Sequence, residues 1–192
     1  KLTAYHEGGH TLVGMLLPNA DPVHKVTIIP RGRAGGYTLM LPKEDRSYAT
    51  RSELMDKLKV AMGGRVAEEV MLGEISTGAS QDIKQATAIA KSMITKFGMS
   101  ERLGLINYDN DSDEVFIGRD FGHTSRGYGE KIAGTIDEEV KRIIDECYAK
   151  ARSILEEYHD VLEACAKLLL EKEKITRSEF EALFEDGVSE EG

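Results

Sequence analysis

The chain has 192 residues, with 34 acidic against 25 basic side chains and a net charge of −9. That length allows one domain, or two closely packed subdomains, with a real core. An acidic balance without any basic stripe argues against nucleic-acid partners.

The opening stretch, Ala4-Tyr5-His6-Glu7-Gly8-Gly9-His10-Thr11-Leu12-Val13-Gly14, contains His-Glu-x-x-His. On a helix, positions i and i+4 lie one above the other, so His6 and His10 can offer ring nitrogens to a single ion. Glu7 falls one residue further round, placed to accept a proton from water on that ion without occupying it. Zinc suits such a site: it takes imidazole nitrogen, keeps a position open for water, and lowers that water's pKa to roughly 7. Chance also brings two histidines and a glutamate together. Two features weigh against it here. Leu2, Val13, Leu16 and Leu17 fit a buried helical stripe, and Gly8 and Gly9 each cost roughly 1 kcal/mol in a helix interior. Such a cost implies a neighbour packed too closely for side chains.

This first helix should run from Leu2 to Leu17 and stop at Pro18. Lys1 leaves no room for a capped helix start, so the chain reads as a piece of something longer. Val23–Ile29 reads as a strand closed by Pro30, and Tyr37–Leu41 as a second strand ending at Pro42, with a glycine-rich loop between them. Set near the metal, the edge of this hairpin would offer unpaired backbone groups around Gly36, Tyr37 and Thr38 to an extended peptide. An ordinary hairpin would look the same in sequence.

Thr50-Arg51-Ser52-Glu53 has the form of a capping box. It opens a helix carrying Leu54, Leu58, Ala61, Met62, Val66 and Val70 on one side. Gly63-Gly64 in its middle would permit close contact with another helix, the one bearing His6 and His10 being the candidate. Ser76–Asp82 is a run of small and polar residues leading into another helix, with Ser80 as N-cap and Gly98 as stop. Asp82 then sits in the first turn, where it would at least complement the helix dipole.

Residues 99–129 are the least regular part. Leu105–Tyr108 and Glu114–Ile117 are expected as short strands, and Arg119–Gly129 as a mobile glycine-rich loop holding His123, which is better read as a solvated residue than a catalytic one. From Glu130, apolar residues recur every three or four positions to Tyr158, the mark of a long amphipathic helix. A second helical run covers Val161–Leu170. Thr176-Arg177-Ser178-Glu179 repeats the capping box before a last helix through Phe184, and the acidic residues 185–192 should fray. Cys147 and Cys165 form no CxxC pair and fall at apolar helical positions, as core thiols do. No apolar run approaches the length of a membrane span, and nothing reads as a signal peptide.

A zinc site of this type needs a third protein ligand. A histidine-rich extension is excluded by Val13 and Leu16. Glu68 or Glu69 on the second helix, and Asp82 among small residues at a helix mouth, all remain open on the residues alone.

Five blocks in order, AYHEGGHTLVG, VHKVTIIPRGRAGGYT, GGRVAEEVMLG, STGASQDIKQAT and IDEEVKRIIDECYAKA, resemble the protease domain of the FtsH family of membrane-anchored, ATP-dependent zinc metalloproteases. The resemblance extends to about Phe184. It implies zinc held by His6, His10 and Asp82, the only aspartate in the block GASQDI, with Glu7 as general base. It also implies a mainly α fold with a small sheet near the zinc and a C-terminal helical bundle. Residues 1–184 would form a single domain: a metal-site half over 1–98, the irregular region over 99–129 and the bundle over 130–184. Beyond the chain, it implies a homo-hexameric ring, unfolded polypeptide substrates fed by an AAA ATPase of the same full-length chain, and a place on the cytoplasmic side of the bacterial membrane. The phosphate loop and membrane helix of that family are not in this sequence, so ATP dependence and anchoring would belong to a missing N-terminal part. The family more often has alanine where Gly8 stands, a small-residue change without loss of chemistry. Two other readings compete: an inactive ring-forming interaction domain with a structural or vestigial metal motif, which would have no use for Glu7, and a stand-alone zinc hydrolase for small peptides.

Overall fold

A computed structural model describes residues 1–32, 35–42, 47–109 and 128–188, with the side chains of 186–188 left aside. The fold is mainly α. In chain order come α1 (Leu2–Leu16), β1 (Val23–Thr27), β2 (Tyr37–Met40), α2 (Arg51–Leu72), a single 3-10 turn (Thr77–Ala79), α3 (Ser80–Thr95), α4 (Glu130–Glu157), α5 (His159–Lys172), β3 (Lys174–Thr176) and α6 (Arg177–Val188). Helix α1 is the hub. It is buried along Ala4–Gly14, between α2 on one side and α5 on the other.

The helix boundaries follow local chemistry. Pro18 cannot continue α1, and its cap Leu17 is already extended. The Thr50 hydroxyl accepts the Glu53 N–H at 3.1 Å to open α2. Gly73, at φ +62°, closes α2 with its N–H on the Glu69 carbonyl. Gly98, also at φ +62°, reverses the chain after α3 so that the Met99 N–H reaches the Met93 carbonyl at 3.0 Å.

Two apolar clusters hold the helices together. One joins Leu12 and Val13 of α1, Val66 and Ala67 of α2, and Leu162, Cys165 and Leu169 of α5 with Val26, Ile175 and Phe180. The other joins Met55 and Leu58 of α2, Ala86, Ala90 and Met93 of α3, and Ile136, Ile143 and Cys147 of α4. Helices α2 and α4 run through both clusters. The 28 residues of α4 span roughly 42 Å at 1.5 Å per residue, enough to clamp the two together. Both cysteines are free and buried. Burial pushes the Cys147 thiol up to about 11, and the Cys165 thiol is pushed up more strongly still, by burial alone.

The sheet is antiparallel in the order β2-β1-β3, so the expected hairpin exists. Its third strand, β3, was hidden by its three-residue length and by overlap with the second capping box. Thr38 pairs with Val26 on one side of β1, and Ile175 pairs with Val26 on the other. Strand β2 is therefore an edge.

Four expectations are corrected. Ser80 is not a cap: it is the first residue of α3, and Ser76 caps the preceding turn by accepting the Gly78 N–H. Leu105–Tyr108 is not a strand. Tyr108 N–H reaches the Thr95 carbonyl of α3 at 2.8 Å, Leu105 is 94% exposed, and among the described residues no strand pairs with this stretch. Helix α6 does not stop at Phe184 but continues to Val188. Helix α5 begins at His159, two residues before the periodic run suggested. The Glu114–Ile117 strand, the loop holding His123 and the end of the acidic tail lie outside the described residues. Among the described residues no helix is long and apolar enough to cross a membrane.

Candidate metal centre

The site is made where α1 crosses α2. Gly9 and Gly63 meet backbone to backbone: a Cβ on Gly9 would lie 2.2 Å from the Gly63 carbonyl oxygen, and one on Gly63 would lie 2.7 Å from that of Gly9. This close crossing lays His6 and His10 of α1 over the middle of α2. His6, Glu7 and His10 are all buried.

The crossing also sets the ring of His10. Its Nδ1 lies 2.7 Å from the Val60 carbonyl of α2. A carbonyl only accepts, so Nδ1 carries a proton, and in the neutral imidazole Nε2 is left with the lone pair a metal needs. The Nε2 of His10 is 3.1 Å from the Nε2 of His6. Asp82, in the first turn of α3, brings Oδ2 to 3.1 Å from His6 Nε2 and 3.2 Å from His10 Nε2. Three donor atoms from two elements thus form a nearly equilateral triangle.

Glu68 and Glu69 take other roles. Glu69 turns to the outer side, where Tyr148 Oη and Arg152 of α4 donate to its Oε2. Glu68 is fully buried, and its Oε1 accepts the Ser76 hydroxyl proton. Arg65 donates to the Ser76 carbonyl at 2.9 Å. Together they tie α2 to the turn that delivers Asp82. Glu68 Oε2 faces His6 Nδ1 at 3.8 Å, the nitrogen pointing away from the triangle. Two neighbouring glutamates on a helix point about 100° apart, and no local pattern says which one faces inward.

The donor set fits zinc on three counts. Ligand atoms about 2.0–2.2 Å from a tetrahedral zinc are about 3.4 Å from one another, close to the spacings here. Two imidazoles and one carboxylate are a donor set of catalytic zinc, leaving a fourth position free. The space is also kept open: a Cβ on Gly64 would lie 2.6 Å from both Nε2 atoms and 2.5 Å from His6 Cε1. Any side chain at Gly64 would intrude on the cradle.

The electrostatics match. Burial alone would raise the Asp82 carboxyl, but hydrogen bonds from His10 and His6 outweigh it and hold the group well below the usual carboxylate range. Burial alone would lower His10, yet the hydrogen bond and charge of Asp82, with Glu7 and the Val60 carbonyl, bring it above its ordinary value. The centre attracts positive charge.

Glu7 lines a cleft together with Tyr37 and Thr38 of β2, Leu54 and Val60 of α2 and Gln85 of α3. Gly36 lines the same cleft immediately before β2, and a Cβ there would come within 2.6 Å of the Thr27 carbonyl oxygen. The Tyr37 ring lies under the Arg31 guanidinium, 5.5 Å from its centroid. Sequence reasoning passed over Gly64 as a spacer for the donors, the Val60 carbonyl, and Ser76 as anchor. Only Gly63-Gly64 left a trace, as a signal of close helix contact.

The pattern of peptidase family M41 matches residues 1–183. The chain is 56% identical over 184 residues to the ATP-dependent zinc metalloprotease FtsH 1 of Thermoanaerobacter sp. (strain X514), covering 96% of this chain and 30% of the relative. It is 52% identical over 187 residues to the ATP-dependent zinc metalloprotease FtsH of Caldicellulosiruptor bescii, covering 97% of this chain and 30% of that protein. With the FtsH of Bacillus subtilis (strain 168) the identity is 50% over 187 residues, 97% of this chain and 29% of the relative. The chain therefore spans just under a third of the length of these curated relatives.

Proposed function

The chain belongs to peptidase family M41, and on that premise we propose that it is the zinc endopeptidase part of an ATP-dependent protease. The observation that carries this reading is the triangle of His6 Nε2, His10 Nε2 and Asp82 Oδ2 beside the buried carboxylate of Glu7. His6, His10 and Asp82 would hold the zinc. When bound, zinc polarises the scissile carbonyl and acidifies the attacking water.

The chain's own residues supply the rest. Glu7 takes the proton of the attacking water on a carboxylate oxygen and passes it to the leaving amide nitrogen. The substrate is an extended, unfolded polypeptide laid along β2, whose edge at Gly36, Tyr37 and Thr38 offers backbone hydrogen bonds. Recognition led by backbone groups is tolerant of side chains, as suits an enzyme fed by an unfoldase. An AAA ATPase in the same full-length protein, a homo-hexameric ring and attachment at the cytoplasmic face of a bacterial membrane complete the reading. They rest on the family resemblance and on relatives named as ATP-dependent proteases. Residues 1–184 act as one protease domain.

The decisive measurement is metal content by mass spectrometry beside peptidase turnover. Glu7→Gln should keep about one zinc per chain and lose roughly 100- to 10,000-fold in activity. Asp82→Asn should lose zinc. Substantial turnover in Glu7→Gln removes Glu7 as the base. Full zinc in Asp82→Asn, with loss only in Glu68→Gln or Glu69→Gln, moves the third ligand.

A further inference from the structure

Thr38 of the edge strand meets the base. Its Oγ1 lies 2.9 Å from Glu7 Oε2. An ionised carboxylate has no proton to give, so the single hydroxyl proton of Thr38 is the one in this contact. The competing acceptors are longer: the Glu7 carbonyl and Thr11 Oγ1 both stand 3.3 Å from Thr38 Oγ1. Thr11 is itself committed, its hydroxyl donating to the Glu7 carbonyl at 2.8 Å, and it is fully buried one turn along α1. The two threonines therefore bracket Glu7, one on its backbone carbonyl and the other on its carboxylate.

We infer that Thr38 is a positioning residue for Glu7, holding Oε2 and leaving Oε1 as the oxygen that receives the proton. The inference rests on the peptidase reading and deepens it. A glutamate side chain has three rotatable bonds, and rotamer freedom of that kind blunts a base that must meet its proton at hydrogen-bond distance. A charge-assisted hydrogen bond from a β-branched residue in a paired strand removes much of that freedom. Among the described residues Glu7 Oε1 accepts no hydrogen bond, which fits its assigned task. The side chain of Thr38 is thus spent on the base, and only its backbone is left for substrate. Because Thr38 stands in β2, the strand proposed to align the peptide and the base that attacks it share one residue. A shift of the substrate platform is also a shift of Glu7.

The test uses the zinc-loaded chain on an unfolded polypeptide, with zinc content measured for each variant. Thr38→Val keeps shape and branching while deleting the donor; Thr38→Ser restores the donor without the methyl group. The expected result is a kcat about 10- to 100-fold lower in Thr38→Val at unchanged zinc content and nearly unchanged KM, with Thr38→Ser back within about threefold of wild type. Unchanged kcat in Thr38→Val overturns the assignment. Equal impairment of both variants overturns it in favour of packing, and a raised KM at constant kcat overturns it in favour of a direct substrate contact. A zinc-loaded wild type without turnover is a different failure: it sinks the peptidase reading, and this inference with it.

Discussion

On one side of α1, a Cβ at Gly9 would meet the Gly63 carbonyl oxygen at 2.2 Å; on the other, a Cβ at Gly8 would meet Leu162 Cδ1 at 3.2 Å and Cys165 Sγ at 3.5 Å. Adjacent glycines in one helix thus face two kinds of neighbour. Toward α2 the contact is backbone against backbone, and a backbone has no rotamer with which to give way. Toward α5 it is the far end of a leucine and a thiol, which can move by tenths of an ångström at small cost. The histidine donors lie on the unyielding side, against Val60 and Gly64 of α2, where site geometry needs to be held within about 0.5 Å.

The largest break in this comparison is Gly9→Ala. The added methyl collides with the Gly63 carbonyl and with Ala67 Cβ, at 2.6 Å, so the two helices must part. The cost is at or above the upper end of the about 1–3 kcal/mol usual for overpacking. A melting curve should show a clear loss of stability, together with loss of zinc. Gly64→Ala is more local. Its methyl meets ring atoms of His6 and His10 at 2.5–2.6 Å, and side-chain rings can swing aside. Helix content by circular dichroism should survive while zinc affinity falls by more than about 100-fold, beyond what loss of an outer hydrogen-bond partner typically costs. Zinc bound at wild-type affinity in Gly64→Ala would mean that the donors do not need the space that glycine leaves.

These two glycines also mark how far the sequence could be read. Helices α1, α2 and α4 were legible because apolar periodicity, the Thr50 cap and Pro18 agree on them, and local chemistry fixes such boundaries. The hairpin was legible from its β-branched residues and the prolines after them. What escaped depends on the register between elements. Gly63 and Gly64 are indistinguishable in the chain, yet one meets a backbone and the other two imidazoles. Glu68 and Glu69 are likewise equivalent until the crossing of α1 and α2 turns one toward His6 and the other toward Tyr148. Asp82 follows a turn that Glu68 and Arg65 anchor at Ser76, a contact between residues of no local pattern. The misread strand at Leu105–Tyr108 has the opposite cause: local propensity was present, but among the described residues no strand pairs with it.

The smallest expected effect tests the compliant side. Gly8→Ala adds a methyl 3.2 Å from Leu162 Cδ1, tight enough that the leucine tip must shift, but not so tight that the helices must. Alanine in a helix interior is favoured over glycine by about 1 kcal/mol, and part of that gain is spent in moving Leu162. The net expectation is a stabilisation of about 0.5 kcal/mol, seen as a melting temperature higher by about 1–2 °C, with zinc content and kcat unchanged. The sign carries the information, because a helix-propensity gain survives only if the neighbour yields. A destabilisation approaching that of Gly9→Ala would mean that α5 grips α1 as rigidly as α2 does, and the two faces would no longer be different in kind.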